Sequence, residues 1–283
     1  MKFELIKKVP IVELAGKRCV VDIGYPGAIM AVNPDAQEFF GIPGLHVVGT
    51  GSLKRYTKFD YPNCEITTSD DPISLEGEIC HVFARALTNL RNEQTISNRN
   101  LAVFINRTVA GLSSKEIAEK FGITANSVDI IDCRVRRIVG EHLPRCFTVP
   151  LEIRSDGWLV NMTVGGVEGM RYIDTGTAYS YVHNLSMDFS SAGVADECSL
   201  DGGRWTAPMH RVSCEFAGHQ FEILCGDARD NKANPGGCAV PNEGVIGFDF
   251  FNNFTVVIDR IDGKMAFFEN GRMSNRGNHA EES

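Results

Sequence analysis

The chain has 283 residues, a formal net charge of −8 and 43% hydrophobic residues. Such a length can bury a large core in one or two domains, and the acidic balance argues against a general polyanion-binding surface. It holds no run of about 18 uninterrupted apolar residues, so no membrane-spanning helix is expected.

The amino terminus, MKFELIKKVPIVELAGK, carries charges inside every apolar stretch and does not read as a signal peptide. Nine cysteines make an odd number, and no two are separated by only two residues. Reduced thiols and a cytoplasmic location are the expectation, with no structural zinc site.

Most of the chain reads as short strands, β-branched or aromatic runs parted by Gly, Pro, Asn and Asp. In order they are Val9 to Val12, Arg18 to Val21, His46 to Val48, Glu78 to Phe83, Trp158 to Val164, Met170 to Ile173, Arg211 to Phe216 and Phe254 to Ile258. Gly165-Gly166 and Asp262-Gly263 predict hairpin turns. Residues 111–128 differ. Ser113 or Ser114 can cap a helix there, Glu116 sits in its first turn, Ile117, Ala118 and Phe121 share one face, and Gly122 ends it. Lys115-Glu116-Ile117-Ala118, Gly122-Ile123 and Ser127-Val128 resemble the helix-turn-helix of bacterial transcription regulators. The expected reading is a helical insertion, about 107–128, that packs on the first half.

Two stretches are near copies. Asp22-Ile23-Gly24 follows the apolar run Cys19-Val20-Val21, and Asp174-Thr175-Gly176 follows Met170 to Ile173, 152 positions later. Residues 22–42 align with 174–194 without gaps, Gly41 falling on Gly193. Further on, Gly49, Gly51 and Tyr56 correspond to a patch of Asp201, Gly202, Gly203 and Trp205, and Cys64-Glu65-Ile66 to Cys214-Glu215-Phe216. Asp-Gly turns are common, but a collinear match over about 50 residues points to an internal duplication with one carboxylate in each half.

These residues resemble the pepsin and retropepsin superfamily of aspartic proteases. Tyr172-Ile173-Asp174-Thr175-Gly176-Thr177 is similar to the active-site loop of a second lobe. Val245-Ile246-Gly247 is similar to the apolar-apolar-Gly element that crosses behind that loop, and Phe254 to Asp259 with Lys264 to Phe268 to the closing hairpin. The resemblance implies a mostly β, bilobal acid-protease fold. Its lobes would be 1–145, carrying the helical insertion, and 146–272, followed by a polar tail at 273–283. The first half departs twice. Ile23 replaces the family's Thr or Ser, whose hydroxyl braces the opposite loop, leaving Thr175 alone to do so. Leu101-Ala102-Val103-Phe104 stands roughly where the first crossing element belongs, without its glycine. Similarly, Ile130 to Arg134 resembles the closing strand Val257 to Arg260.

The resemblance implies that Asp22 and Asp174 are catalytic, with Ile23, Gly24, Thr175, Gly176 and Thr177 shaping their loops. Two carboxylates about 3 Å apart cannot both ionise, so they share a proton and titrate as a pair. The ionised member activates a water and the protonated one donates to the scissile carbonyl. No metal or cofactor is needed. A cover must exclude bulk water and grip an extended peptide by strand addition. Gly49, Gly51 and Tyr56 in one half, and Gly202, Gly203 and Trp205 in the other, are the expected flaps. The partners expected are a peptide or protein substrate, with no nucleic acid and no membrane, and the chain is expected to be a monomer. The alternative reading is a catalytically impaired, protease-like regulator that binds peptides or DNA. Arg134, Arg136 and Arg137 favour DNA; Asp129 and Asp132 oppose it.

Overall fold

The computed structural model describes residues 1–183, 185, 189–228 and 243–269. The tail expected at 273–283 lies outside them. The chain divides into two units, one of Met1–Ile73 with Phe147–Phe267, the other of Ser74–Cys146 with Phe268 and Glu269 among the described residues.

The first unit is built from strands. It begins with β1 (Phe3–Ile6), β2 (Val9–Leu14), β3 (Lys17–Val21) and β4 (Ile29–Ala31). A short helix, α1 (Pro34–Phe40), leads to β5 (His46–Val48). Asn33 caps that helix through its side chain, Pro34 opens it, and Gly41 closes it in the left-handed conformation. The hairpin β6 (Tyr56–Asp60) and β7 (Glu65–Ser69) ends this segment.

The described residues of the second unit form the helices α2 (Leu75–Asn92), α3 (Asn98–Thr108), α4 (Ser114–Phe121) and α5 (Ala125–His142). Each starts at a serine or threonine whose side chain accepts from the first turn. Ser113 and Glu116 form a reciprocal capping box, and Gly122 ends α4 in the left-handed region. Val103, Ile117, Ala118 and Val128 form one small core; Leu87, Leu90, Leu101, Phe104, Val135 and Val139 belong to another. The helical segment is therefore far longer than the expected 107–128. Three strand-like readings fall inside it and are corrected. Glu78 to Phe83 lies in α2, Leu101 to Phe104 in α3, and Ile130 to Arg134 in α5. In each helix the buried residues recur at helical spacing, as with Val82, Ala86 and Leu90 or Val128, Val135 and Val139. That period outweighs the β-branched composition.

The first unit resumes with β8 (Cys146–Pro150), β9 (Glu152–Arg154), β10 (Gly157–Val164), β11 (Val167–Ile173) and β12 (Ser180–Val182). It continues with β13 (Ser190–Cys198), β14 (Arg204–Phe216), β15 (His219–Asp227) and β16 (Val245–Ile246). A four-residue helix α6 (Phe248–Phe251) precedes β17 (Phe254–Asp259) and β18 (Lys264–Glu269). The sheets run β1-β2-β3-β5-β4, β13-β14-β15-β12-β16-β11-β10-β9, and β7-β6-β17-β18-β8. The last joins the β6–β7 and β17–β18 hairpins through antiparallel pairing of β6 with β17. A buried cluster rich in Phe, including Phe216, Phe250, Phe254 and Phe267, lies in the main core with Ile23, Ile173 and Ile246.

One strand arrangement occurs twice. β5 runs parallel to β3 and antiparallel to β4; β16 runs parallel to β11 and antiparallel to β12. After each central strand comes a glycine with no room for a side chain. A Cβ on Gly49 would overlap the Tyr25 carbonyl oxygen, and one on Gly247 that of Tyr179. Val47-Val48-Gly49 is thus the counterpart of Val245-Ile246-Gly247, the place expected for Leu101 to Phe104. We expect Gly49→Ala and Gly247→Ala each to destabilise the chain by about 1–3 kcal/mol, since a backbone carbonyl must move. Gly140→Ala in α5, where a Cβ meets nothing within 4 Å, should stabilise by about 0.5–1 kcal/mol. Urea unfolding of the three variants checks this.

Candidate active site

β3 and β11 each deliver an aspartate to the end of a strand, where the chain turns sharply. The amide of Asp22 donates to the Val48 carbonyl and that of Asp174 to the Ile246 carbonyl, both at 3.0 Å. The two crossing strands therefore hold the two turns by equivalent bonds. Within its turn, Asp22 Oδ1 accepts from the amides of Gly24 (2.7 Å) and Tyr25 (3.0 Å). Asp174 Oδ1 accepts from the Gly176 amide (2.8 Å), and Oδ2 from the Thr177 hydroxyl (2.9 Å).

The two carboxyls come together because each turn's glycine makes room for the other turn's acid. A Cβ on Gly24 would lie 2.7 Å from Cγ of Asp174, and one on Gly176 2.6 Å from Cγ of Asp22. Beneath them, the buried Thr175 hydroxyl donates to the Val21 carbonyl (2.7 Å) and accepts from the Ile23 amide (3.2 Å). Ile23 returns no such bond; its side chain is 1% exposed in the apolar core. Asp22 is 7% exposed. Burial, followed by the charge and hydrogen bond of Asp174, raises its pKa well above the usual carboxylate range, against the pull of the Gly24 and Tyr25 amides.

A retropepsin-like aspartic protease from Rickettsia conorii is similar in structure. The identity is 14%, over 45% of this chain and 95% of that one, with a TM-score of 0.32. No protein-family model matches the chain, and the comparison with curated proteins found no match. The architecture is mostly β, with several sheets.

Asp22, Gly24, Asp174, Gly176 and Thr177 line a cavity of about 710 Å³, and Trp205 stands on its wall. Ile23 and Thr175 lie below it, buried. Gly202 and Gly203 sit at the tip of the β13–β14 hairpin, beside Ser199, Leu200 and Asp201, which also line the cavity. The tip is fastened to α1. The Asn33 amide donates to the Leu200 carbonyl at 3.0 Å, and the Arg204 guanidinium donates to the Asp35 carbonyl at 3.2 Å and lies over the Phe39 ring.

The expected first-half flap is corrected. Gly49 is the crossing glycine, Gly51 lies in the short turn Thr50–Ser52, and Tyr56 opens β6, paired with Asp259 of β17. None of the three lines the cavity. Between β4 and β5, where the second half has the β13–β14 hairpin, the first has α1. The Cys64–Cys214 match fails for the same reason: Cys64 precedes β7, whereas Cys214 lies in β14 of the hairpin sheet.

The sequence reading missed three elements. Val47-Val48-Gly49 carries the right apolar-apolar-Gly signal, but follows Asp22 by 25 positions rather than the 71 that separate Val245 from Asp174. Asn33, the latch for the hairpin, had no signal beyond a helix cap. Glu197, a buried acid on the cavity wall, was hidden in a polar stretch of strand. Among the described residues, no cluster of His, Cys, Asp and Glu could hold a metal ion, and no helix is long and apolar enough to cross a membrane.

Two predictions follow from this geometry. Thr175→Val strands a buried amide and a buried carbonyl, so it should cost about 1–3 kcal/mol for each group left unpaired, whereas Thr175→Ser keeps most of the stability; chemical denaturation separates them. The second concerns pH. Burial raises Asp249, which accepts from Ser180 and Leu224, to about 7, and Glu197 to about 8, alongside Asp22. Each holds a proton in the folded chain that the unfolded chain has already lost. The stability so supplied is full below about pH 4 and is lost as pH rises through the folded values. Unfolding free energy should fall between about pH 4 and pH 8, by up to about 4 kcal/mol for each of Asp249 and Glu197. Denaturant titrations across that range check it.

Proposed function

We propose that the protein is an aspartic endopeptidase, and that residues 1–69 and 147–269 are the two diverged lobes of one catalytic body with the helical unit inserted between them. What carries the reading is the packing of each acid on the other turn's glycine, which brings two carboxyls from separate strands into one cavity. The repeated crossing strands, each followed by a glycine that admits no side chain, support the duplication.

The chemistry follows from the pair. Two adjoining carboxyls retain one proton between them. Burial raises the proton affinity of Asp22, the proposed acid, while the Asp174 oxygens accept from the Gly176 amide and the Thr177 hydroxyl. Asp174 takes a proton from a water held between the carboxyls. The Asp22 acid donates to the carbonyl oxygen as the water adds to the carbon. Collapse of the tetrahedral diol returns a proton to the leaving amine. The β13–β14 hairpin covers the cavity and offers an edge along which an extended peptide can pair. Thr175 alone joins the loops, so catalysis here works with a one-sided brace.

Asp22→Asn and Asp174→Asn should each reduce cleavage of denatured casein to background while leaving the fold intact by circular dichroism. A statine-type inhibitor should stop the unmodified protein. Cleavage by either variant at the unmodified rate would refute the assignment.

A further inference from the structure

The cavity walls are unusually one-signed. Besides Asp22 and Asp174, its described lining holds four more acids, Asp156, Glu197, Asp201 and Glu243, against a single cation, Arg154. That cation is already engaged, at 2.6 Å from Glu152 and 3.1 Å from Glu243. Three of the acids are accounted for. Asp156 accepts from the Tyr172 hydroxyl, Glu243 pairs with Arg154, and Asp201 accepts from Ser199 at the hairpin turn.

Glu197 is different. It lies on β13, 6% exposed, and its carboxyl accepts one hydrogen bond, at 3.3 Å from the Tyr181 hydroxyl. No cation is paired with it among the described residues. The charged groups that act on it most strongly, Asp174, Asp249 and Asp196, are acids. A buried carboxyl is ordinarily paired or fully hydrogen-bonded. One with a single long hydrogen bond, on the wall of a cavity, is open to a partner that arrives from outside.

Resting on the peptide-hydrolysis reading of this site, we infer that the cleft selects basic peptides and that Glu197 receives a lysine or arginine side chain next to the scissile bond. Its proximity to Asp174 places that side chain close to the reacting carbonyl. The remaining surplus of wall acids draws a cationic segment in and disfavours acidic ones. The raised pKa of Glu197, about 8 in the free protein, fits this role: the acid stays neutral while the cleft is empty and ionises against an arriving cation.

The test uses the full-length protein and three peptides with a central statine-type hydroxyl isostere. They differ only in one residue beside the isostere, which is Lys, norleucine or Glu, placed in turn on either side. Calorimetry at pH 6 and low salt measures Kd. The Lys peptide should bind about tenfold more tightly than the norleucine peptide in one of the two placements, as for a hydrogen bond to a charged group. The Glu peptide should bind weakest, and Lys binding should release a proton that norleucine binding does not. In Glu197→Gln the Lys advantage should shrink to within about twofold, with the proton release gone. Equal or tighter norleucine binding in both placements overturns the inference while leaving the protease reading in place; this comparison needs no variant. A Lys advantage that survives in Glu197→Gln overturns the role of Glu197. Failure of all three peptides to bind overturns the protease reading, and this inference with it.

Discussion

A buried hydroxyl joins the two aspartate turns. Thr175 donates to the carbonyl before Asp22 and accepts from the amide after it, so it grips the first turn on both sides of its acid. In a dry interior such bonds are directional and costly to leave unmade. The two glycines complete the constraint, because neither Gly24 nor Gly176 has a Cβ to hold the opposite carboxyl away. The proximity of the acids, the raised proton affinity of Asp22 and the shape of the cavity floor all follow from this junction. The reciprocal grip is missing, and Ile23 instead adds apolar burial to the core beneath. The first turn is thus held by packing and the second turn's threonine.

A second asymmetry lies above the acids. One half of the strand unit extends a long hairpin over the cavity. In the other, the seven-residue helix α1 stands between β4 and β5. The helix serves as the hairpin's anchor, through a backbone bond from Asn33 and the stacking of Arg204 on Phe39. Among the described residues, this cover held at its tip leaves the cavity floor shared by both halves while the roof belongs to one. Two of the wall acids, Glu197 and Asp201, come from this roof.

Much of this was legible in the sequence where chemistry demands a rare residue combination. An apolar strand ending in Asp-x-Gly specifies an acid at a sharp turn and a close approach, so both turns could be read directly. Gly165-Gly166 and Asp262-Gly263 fixed two hairpins for the same reason, as turns with few alternatives. Elements lacking such a demand were misread. The three-residue strand β5 (His46–Val48) was read as a strand, but its crossing role was missed, since only its glycine and its pairing with β3 reveal it. Glu78 to Phe83 and Ile130 to Arg134 are rich in residues favoured in strands, yet their neighbours Val82, Ala86, Leu90, Val128, Val135 and Val139 fall on helical faces. A first-half flap at Gly49 to Tyr56 rests on equal spacing in the two halves, and the spacing differs because α1 alone lies between β4 and β5. Glu197 was illegible because burial is a property of the tertiary fold.

The most direct measurement is a crystal structure of the protein bound to a statine-type peptide. The account predicts the central hydroxyl within about 3 Å of a carboxyl oxygen from both Asp22 and Asp174, beneath the β13–β14 hairpin. A peptide seated elsewhere, or acids turned to separate surfaces with a gap too wide for one hydroxyl to span, would contradict it.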